Sequence, residues 1–417
     1  MSKILKMPQK VPHPRRKAAS QKPLAPENGI GRATGRATGR ATRIMSPITK
    51  PIGILGGGQL ARMMALKAHE MGMSIAILSE NASDPAAQVT SLWTQGKLNH
   101  RKTLKQFLKS CSVVTFESEF LDAELLSELA SKTKTPIYPN PKHMAMIQDR
   151  LPQKDLLTRL GLPTAPYLPV ANETDAREAF KKFKGQLVYK KRRFGYDGYG
   201  TFVVRTSADL ELFIPKMKEV TDGFIAEKFI PFERAIAVMV ARSLSGETTR
   251  YPFVETYQEN SRCLWVKGPL ANSPTLTKLG RSLEKFLETI DYVGVLGVEL
   301  FATQSGFLIN ELAPRVHNSG HYTQNAMKQD QFSAHLKCVL GCKLGKPQPL
   351  APGFAMWNLL GSSEQTPKWT LSPDVNLHWY GKADNRKGRK MGHINATAST
   401  PEKALALLRK KRSDFDL

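Results

Sequence analysis

Two glutamates stand at matched positions in VGVLGVELFATQSGFLINELAP (residues 293–314), which reads as two apolar strands around a turn at 304–306. If the turn is centred on its serine, Glu299 and Glu311 face each other across the hairpin. Two opposed carboxylates in an apolar setting repel, so they need a cation between them. Hard oxygens beside Asn310 suit Mg²⁺ carrying substrate phosphates. The alternative is a pair of solvent-facing glutamates on an edge strand, but their neighbours are almost all apolar.

Two basic segments carry charges suited to phosphates. In VYKKRRFGYDGYGTFVV (188–204), a strand ends at Lys190, and a glycine-rich loop that predicts a lid follows. Lys190 supplies a fixed positive charge for a phosphate. In HWYGKADNRKGRKMGH (378–393), the cations that would clamp a terminal phosphate dianion are Lys382, Arg389 and Lys390. A solvated basic turn or hairpin without a ligand is the alternative for each segment.

A glycine turn near the start of the folded region has the spacing G-x-G-x-x-A. The string GGGQLA (56–61) lies between an apolar strand and a helical pattern, and Glu80 ends the next strand. Read alone, this arrangement indicates dinucleotide binding, and hence an NAD-dependent oxidoreductase. The backbone of such a turn would accept any phosphorylated ligand at the helix N-terminus. A tight turn that needs glycine only for packing remains the structural alternative.

The elements that must position these groups alternate between strands and helices. Residues 51–80 predict strand, glycine turn, helix and strand, and another strand at 112–116 ends in the acids of SVVTFESE. One helix is expected over 142–160, where glycine and proline mark its end. A second, more antiparallel region follows, with the strands predicted at 187–190, 201–205, 224–229 and 235–241. A proline-rich connection then leads to a short strand-rich end and a basic helix at 402–412.

The chain has 417 residues and a formal charge of +25, which would suit a nucleic-acid partner. The first 50 residues, however, carry twelve Lys/Arg against one acid, and GRATGRATGRAT (31–42) has no apolar face with which to fold. This tail is interpreted as a disordered basic arm, an Arg-rich targeting segment or, preferably, read-through upstream of a true start at Met45. We therefore expect nucleic acid to bind only nonspecifically, through the tail, if at all.

Membrane and disulfide classes are disfavoured by the same sequence. No window approaches the roughly 18 consecutive apolar residues that a membrane helix needs. The four cysteines are scattered, and although Cys338 and Cys342 lie one helical turn apart, no zinc-like spacing joins them to other ligands. Free buried thiols in a reducing, cytoplasmic setting are the expectation.

Several motifs, taken in order, resemble one family. GILGGGQLARM, TFESE, QDR, GYDGYG, GVLGVELF, INELAPRVHNSGH and YGK with GRKMGH are similar to the 5-(carboxyamino)imidazole ribonucleotide synthases of purine biosynthesis, over roughly residues 51–395. These are ATP-grasp enzymes that convert aminoimidazole ribonucleotide, bicarbonate and ATP to the carbamate, ADP and phosphate. The resemblance implies a homodimer with no membrane association. It also implies a mixed α/β and α+β fold, in which a Rossmann-like pre-ATP-grasp domain precedes an ATP-grasp domain and a small strand-rich C-terminal domain.

The resemblance and the composition of the chain together predict four segments. They are a basic tail at 1–50, the Rossmann-like domain at 51–143, the ATP-grasp domain at 144–347 and the C-terminal domain at 348–417.

The resemblance also implies a role for individual residues. Those implied to bind ATP are Arg150, Lys190, Gly195, Gly198, Glu227, Lys228, Phe229, Ile230, Gln258, Asn310 and Glu311. The implied ligands of Mg²⁺, with Mn²⁺ as an alternative, are Glu299 and Glu311. The residues implied to hold aminoimidazole ribonucleotide are Gly57, Gly58, Gln59, Glu117, Tyr196, Lys382, Arg389 and Lys390. The implied catalytic residues are Arg315, His317 and Asn318 in the bicarbonate pocket, with Asp197 taking the amine proton.

The chain departs from the family pattern around the nucleotide. Ala235 stands where the family has a glutamate that binds the ATP ribose, and Ala237 replaces a serine. Gln258 replaces a histidine, and Phe194 replaces a glycine of the lid. We interpret the chain as an active enzyme with altered nucleotide handling. The alternative is a non-catalytic paralogue that binds a ribonucleotide or a partner protein.

Overall fold

The computed structural model describes residues 49–195, 198–259, 261–362, 367–370 and 372–416. The interpretations of the tail up to residue 48 lie outside the described residues, and so do the roles predicted for Tyr196 and Asp197. Among the described residues, no helix combines the length and the apolar character required to cross a membrane.

The N-terminal region is a parallel sheet flanked by helices, as predicted. Its elements are β1 (Ile52–Leu55), α1 (Gln59–Glu70), β2 (Ile75–Ser79), β3 (Leu92–Gln95), α2 (Arg101–Ser110), β4 (Val113–Phe116) and α3 (Ala123–Thr133). The strand order is β3-β2-β1-β4, and every residue of β1, β2 and β4 is buried. Such continuous apolar runs are typical of parallel strands covered on both faces. The carboxyl ends of β1 and β4 bring the glycine turn beside the acids of the TFESE motif.

The single helix predicted over 142–160 is wrong, because two helices occupy this segment. They are α4 (Pro141–Gln148) and α5 (Arg150–Arg159), and Asp149 lies between them in an extended conformation. The Asp149 carboxylate accepts the Leu151 N–H, so this residue caps the second helix and breaks the first. The break presents Arg150 at the start of α5.

A small antiparallel sheet follows. Its strands and the two helices between them are β5 (Tyr167–Val170), α6 (Glu173–Lys182), β6 (Leu187–Lys191), β7 (Thr201–Val204), α7 (Ser207–Met217) and β8 (Phe224–Lys228). The strand order is β5-β8-β6-β7, which places Lys190 of β6 opposite Ile225 of β8. Both helices begin with a capping box, so their first turns are fixed by the local sequence.

The largest sheet joins the remaining strands in the order β14-β13-β9-β11-β12-β15-β18-β17, with β10 paired to β9. In chain order, its elements and those around it are β9 (Arg234–Arg242), β10 (Thr248–Arg250), β11 (Val254–Glu259), β12 (Arg262–Gly268), α8 (Pro274–Thr289), β13 (Gly294–Thr303), β14 (Gly306–Ala313), α9 (Thr323–Ala326), α10 (Gln331–Leu340), β15 (Gly353–Leu360), β16 (Lys368–Trp369), β17 (Asn376–Trp379), β18 (Lys390–Ala398), α11 (Pro401–Lys411) and β19 (Phe415–Asp416). β12 pairs with β15, so the strand-rich C-terminal segment extends this sheet.

The hairpin of β13 and β14 contains the predicted Glu299–Glu311 pair, but its turn is not centred on the serine. Thr303 pairs with Gly306, so the loop has two residues, and a bulge then leaves Asn310 without an opposite residue. The bulge shifts the register by one residue, which is why the two glutamates still face each other.

Candidate active site

The opposed glutamates lie beside two basic groups. The Glu311 carboxylate pairs with the Arg150 guanidinium at 2.9 Å, from the start of α5. The Glu299 carboxylate lies 3.7 Å from Nε2 of His317. Two carboxylates and the adjacent amide of Asn310 form a set of hard oxygen donors, the kind that Mg²⁺ prefers. The residues present therefore fit the predicted metal site.

The sheet surface beside these glutamates contains two of the residues that depart from the family pattern. Glu299 pairs with Ala237 of β9, which pairs in turn with Val254 of β11, so the three side chains share one face of the sheet. One step along the strands, Ala235 lies between Phe301 and Thr256.

Gln258 lies farther along β11. It follows a bulge after Tyr257 and is exposed. The sheet surface next to the two glutamates thus consists of alanine and valine side chains, whereas the glutamates themselves carry charge.

A buried carboxylate with two ammonium partners lies between the sheets. Oε2 of Glu227, on β8, is 3.1 Å from Lys190 Nζ and 3.4 Å from Lys154 Nζ. Lys190 also donates to Asn310 Oδ1 at 3.0 Å, which ties β6 to the bulge of the hairpin. Burial alone would raise the pKa of Glu227, but the charges of Lys190, Lys154 and Arg150 outweigh it and lower the pKa to about 2. Glu227 is therefore ionised throughout the physiological range.

The main chain after Glu227 contains further residues that the resemblance implies to bind ATP. Lys228 N–H donates to Pro166 O, and Phe229 N–H donates to Gln186 O. In the part of the chain that the structure describes, no group accepts from the N–H of Ile230. Ile230 N–H can therefore donate to a ring nitrogen of a base.

The base of the glycine-rich loop is tied to the break between α4 and α5. The buried Asp149 carboxylate binds Arg192 through two hydrogen bonds of 2.9 and 2.6 Å, and it contacts Arg193 at 3.2 Å. Arg150 N–H donates to Arg192 O, and a Cβ on Gly195 would lie 3.2 Å from the Arg150 guanidinium. The loop thus passes directly over Arg150.

At the far end of the loop, Gly198 adopts φ +81°. A Cβ there would clash with Ser261, so glycine is required at this position.

Arg315 and His317 lie on the segment that follows β14. Arg315 makes a two-pronged ion pair with Glu119, through Nε and, at 2.8 Å, through Nη2. Burial, with help from the charges of Arg315 and Lys390, lowers the pKa of His317 to about 3, so the ring is neutral. Nδ1 of His317 lies 3.4 Å from Ser319 N and 2.9 Å from Ser319 Oγ, and Nε2 lies toward the Glu299 carboxylate. The tautomer with its proton on Nε2 satisfies all three contacts, because Nδ1 can then accept from both Ser319 donors. The segment therefore offers one fixed cation and one neutral N–H donor.

Asn318 is held by a buried neighbour. Its side-chain amide exchanges two hydrogen bonds, of 3.0 and 2.8 Å, with Asn358 of β15. The predicted bicarbonate residue is thus oriented by the C-terminal segment.

The glycine turn already holds the side chain of an acidic residue. Oε1 of Glu117 accepts from Gly58 N–H, and Oε2 accepts from Ala61 N–H at 3.1 Å, at the N-terminus of α1. Burial raises the pKa of Glu117 above its usual range, although these bonds and the charges of Arg315 and Lys382 oppose the shift. Because a dinucleotide pyrophosphate would meet this carboxylate, the turn is poorly suited to the dinucleotide reading. Gly57 and Gln59 flank the same turn.

The predicted phosphate clamp is only partly assembled. Lys382 Nζ donates to Lys390 O at 2.7 Å and lies 5.5 Å from the centre of the Tyr380 ring. Arg389 instead contacts Asp384, through Nη1 to the main-chain O at 3.1 Å. The charge of Lys382 nevertheless opposes the raised pKa of Glu117, and the charge of Lys390 helps to lower the pKa of His317.

Three residues with clear structural roles were not identified from the sequence. Glu119 follows Glu117 by two residues in the TFESE motif, just after the predicted strand, so its place beside a recognised acid was a signal. Lys154 follows Arg150 by one helical turn, which was a signal that α5 carries two cations on one side. Asp149 had no such signal, because helical periodicity continues across it.

Three family models match consecutive parts of the chain. A ribonucleotide synthetase preATP-grasp domain matches residues 49–148, an ATP-grasp domain matches 155–332, and a phosphoribosylaminoimidazole carboxylase C-terminal domain matches 355–407. The predicted fold class is thereby confirmed.

Whole proteins match over most of the chain as well. The N5-carboxyaminoimidazole ribonucleotide synthase of Synechococcus elongatus is 38% identical over 371 residues, which cover 86% of this chain and 93% of the relative. The Staphylococcus aureus N5-carboxyaminoimidazole synthetase complexed with ADP has a TM-score of 0.80 at 29% identity, covering 88% of this chain and 97% of the other. The Aspergillus clavatus synthase, in complex with ADP and 5-aminoimidazole ribonucleotide, has a TM-score of 0.77 at 28% identity, covering 87% and 98%.

Proposed function

The chain belongs to the N5-carboxyaminoimidazole ribonucleotide synthase family, and on that premise we propose that it joins bicarbonate to the amino group of 5-aminoimidazole ribonucleotide. It is an ATP-dependent carbon–nitrogen ligase of purine biosynthesis, and ADP and phosphate are its other products. The observation that carries this proposal is the Glu299–Glu311 pair, which lies between Arg150 on one side and His317 on the other. Groups for phosphate, metal and bicarbonate thus meet at one hairpin.

ATP lies between the small sheet and the large sheet. Ile230 N–H and the Glu227 carboxylate meet the edge of the adenine, and Lys190 and Arg150 bind the phosphates. Glu299 and Glu311 hold Mg²⁺, or Mn²⁺, which neutralises charge on the transferring phosphate when it is bound. Because this reaction needs little covalent work from the protein, placing the charges is its main contribution.

Bicarbonate lies against Arg315 and His317. One of its oxygens attacks the γ-phosphorus, the bond from that phosphorus to ADP breaks, and carboxyphosphate forms. The Arg315 guanidinium and the Nε2 proton of His317 are fixed donors for the negative oxygens of this intermediate. Glu119 holds the guanidinium in its plane, and Asn318 completes the pocket.

The ribonucleotide lies beside the glycine turn. Its amine attacks the carbonyl carbon, phosphate leaves, and the amine loses a proton, for which Asp197 is the proposed acceptor. Glu117 and Tyr196 hold the aminoimidazole, and the residues proposed for the ribonucleotide phosphate and its surroundings are Gly57, Gly58, Gln59, Lys382, Arg389 and Lys390. The family resemblance further implies a homodimer that acts in the cytoplasm.

Phosphate release tests the function directly. We expect release from Mg-ATP and bicarbonate to rise strongly when 5-aminoimidazole ribonucleotide is added, with formation of the carbamate. Release that depends neither on the ribonucleotide nor on Mg²⁺ would exclude the synthase. Ribonucleotide binding without any turnover would favour the non-catalytic paralogue.

A further inference from the structure

A lysine that the proposed mechanism does not use is almost completely buried beside the nucleotide groups. The side chain of Lys154 is only 1% exposed. Its Nζ donates to Thr164 Oγ1 at 2.6 Å, contacts Ile309 O at 3.4 Å and pairs with Glu227 Oε2 at 3.4 Å. Burying an ammonium group is costly unless it is paired. A residue kept there at such cost points to a role for its charge.

The two oxygens of the Glu227 carboxylate are in different situations. Oε2 is shared by Lys154 and Lys190, whereas Oε1 is buried with no hydrogen-bond donor among the described residues. A buried acceptor without a donor costs free energy in the empty protein. Because the carboxylate is ionised, Oε1 can accept a hydrogen bond but cannot donate one.

The two lysines hold Glu227 differently. Lys190 divides its ammonium group between Glu227 and Asn310 Oδ1 at 3.0 Å, and it is the cation proposed to meet a phosphate. Lys154 is anchored by the Thr164 hydroxyl and the Ile309 main-chain carbonyl, and the proposed function assigns it no phosphate. When Lys190 turns to the nucleotide, Lys154 therefore remains as the counter-ion of Glu227.

We propose that Lys154 is a positioning residue for base selection, which holds Glu227 so that Oε1 accepts a hydrogen bond from the exocyclic amine of adenine. This inference rests on the proposed function, because it assumes that the base lies at the end of β8. Adenine carries an amino donor at its sixth position, whereas hypoxanthine carries a carbonyl acceptor there. An acceptor-only oxygen favours the first base and repels the second. Without Lys154, Glu227 gains a proton more easily and can then donate to a carbonyl.

The test compares ATP with inosine 5′-triphosphate in the full chain and in Lys154→Met. We expect the ratio of kcat/KM for ATP to kcat/KM for the inosine nucleotide to fall by about tenfold or more in the variant, because the donor–acceptor match is lost. A purely structural role would lower both values together and leave their ratio unchanged. Lys278→Met, an exposed lysine of α8, is the matched control and should keep the parent ratio.

Thr164→Val provides a second measurement of the same kcat/KM ratio if Lys154→Met does not fold. It removes the hydroxyl anchor while nearly keeping the side-chain volume, and it should move the ratio in the same direction by a smaller factor. An unchanged ratio in a folded Lys154→Met, or in Thr164→Val if only that variant folds, overturns the inference. The proposed function fails separately, if the parent chain shows no ribonucleotide-dependent phosphate release with ATP.

Discussion

The proposed nucleotide site has two ends that are built differently. At the reacting end, Glu311 pairs with Arg150, and Arg315 pairs with Glu119, so the charged groups are held by one another before any substrate binds. At the ribose end, Ala235 stands where the family has a carboxylate, and its side chain is only a methyl group. This difference predicts separate effects on kcat and on the KM for ATP. Changes at the reacting end should act mainly on kcat, and changes at the ribose end mainly on the KM for ATP.

Removing one charge of the metal pair should have the largest effect. Glu311→Gln should lower turnover by about a hundred- to a thousandfold or more, because a charge that is proposed to hold the metal is lost. The melting temperature should stay close to that of the parent chain. Relief of the repulsion from Glu299 opposes the loss of the ion pair with Arg150 at 2.9 Å. Phosphate release and thermal unfolding measure the two effects, and a fully active variant would refute the metal assignment.

Weakening the ion pair that orients Arg315 should have a smaller effect at the same end. Glu119→Gln keeps the shape of the side chain but weakens the two-pronged ion pair. We expect kcat to fall by about tenfold while the KM for ATP changes little, because the affected donor is the one proposed for bicarbonate. Steady-state kinetics with ATP and bicarbonate varied separately measure this. A rise confined to the KM for ATP would mean that Arg315 serves the nucleotide instead.

Restoring the missing carboxylate tests the assignment of the ribose end. Ala235→Glu should lower the KM for ATP by about tenfold, because a charge-assisted hydrogen bond to a ribose hydroxyl is worth roughly 1.5–3 kcal/mol. Glu233→Ala should change the KM little, since Glu233 is exposed and precedes β9. If Glu233→Ala is the damaging change, Glu233 has taken over the ribose. If neither substitution moves the KM, the ribose is not bound by this strand.

The smallest effect concerns the neutral His317. Its pKa, lowered to about 3 by burial, means that the unfolded chain takes up a proton that the folded chain does not, as the pH falls from about 6.5 toward 3. The free energy of unfolding should therefore fall with falling pH in this window, by up to about 1.4 kcal/mol per unit for this group. His317→Asn should show a shallower slope in unfolding curves at pH 7, 6 and 5. An identical slope would show that His317 is not buried in its neutral form.

Some features of the fold and of the candidate site could be predicted from the sequence, and others could not. Local patterns were sufficient for the alternation of strands and helices and for the pairing of Glu299 with Glu311. That pairing nevertheless depends on a two-residue loop and a compensating bulge at Asn310, which apolar alternation does not reveal. The break at Asp149 depends on a single helix cap that competes with continuing periodicity. The burial of Lys154 depends on Glu227, a partner distant in the chain, and no local signal predicts such a contact.

The pairing of β12 with β15 has a consequence for dividing this protein. Residues 265–268 form a main-chain ladder with residues 354–357, so removing the C-terminal segment would leave an open, largely apolar strand edge and invite aggregation. A cut in the exposed connection near Lys346 would leave that ladder intact. Two fragments produced separately could therefore reassemble through this ladder. The lysines proposed for the ribonucleotide phosphate would lie on one fragment, and the glutamates proposed for the metal on the other. Activity recovered on mixing would report directly on how closely those two halves are joined.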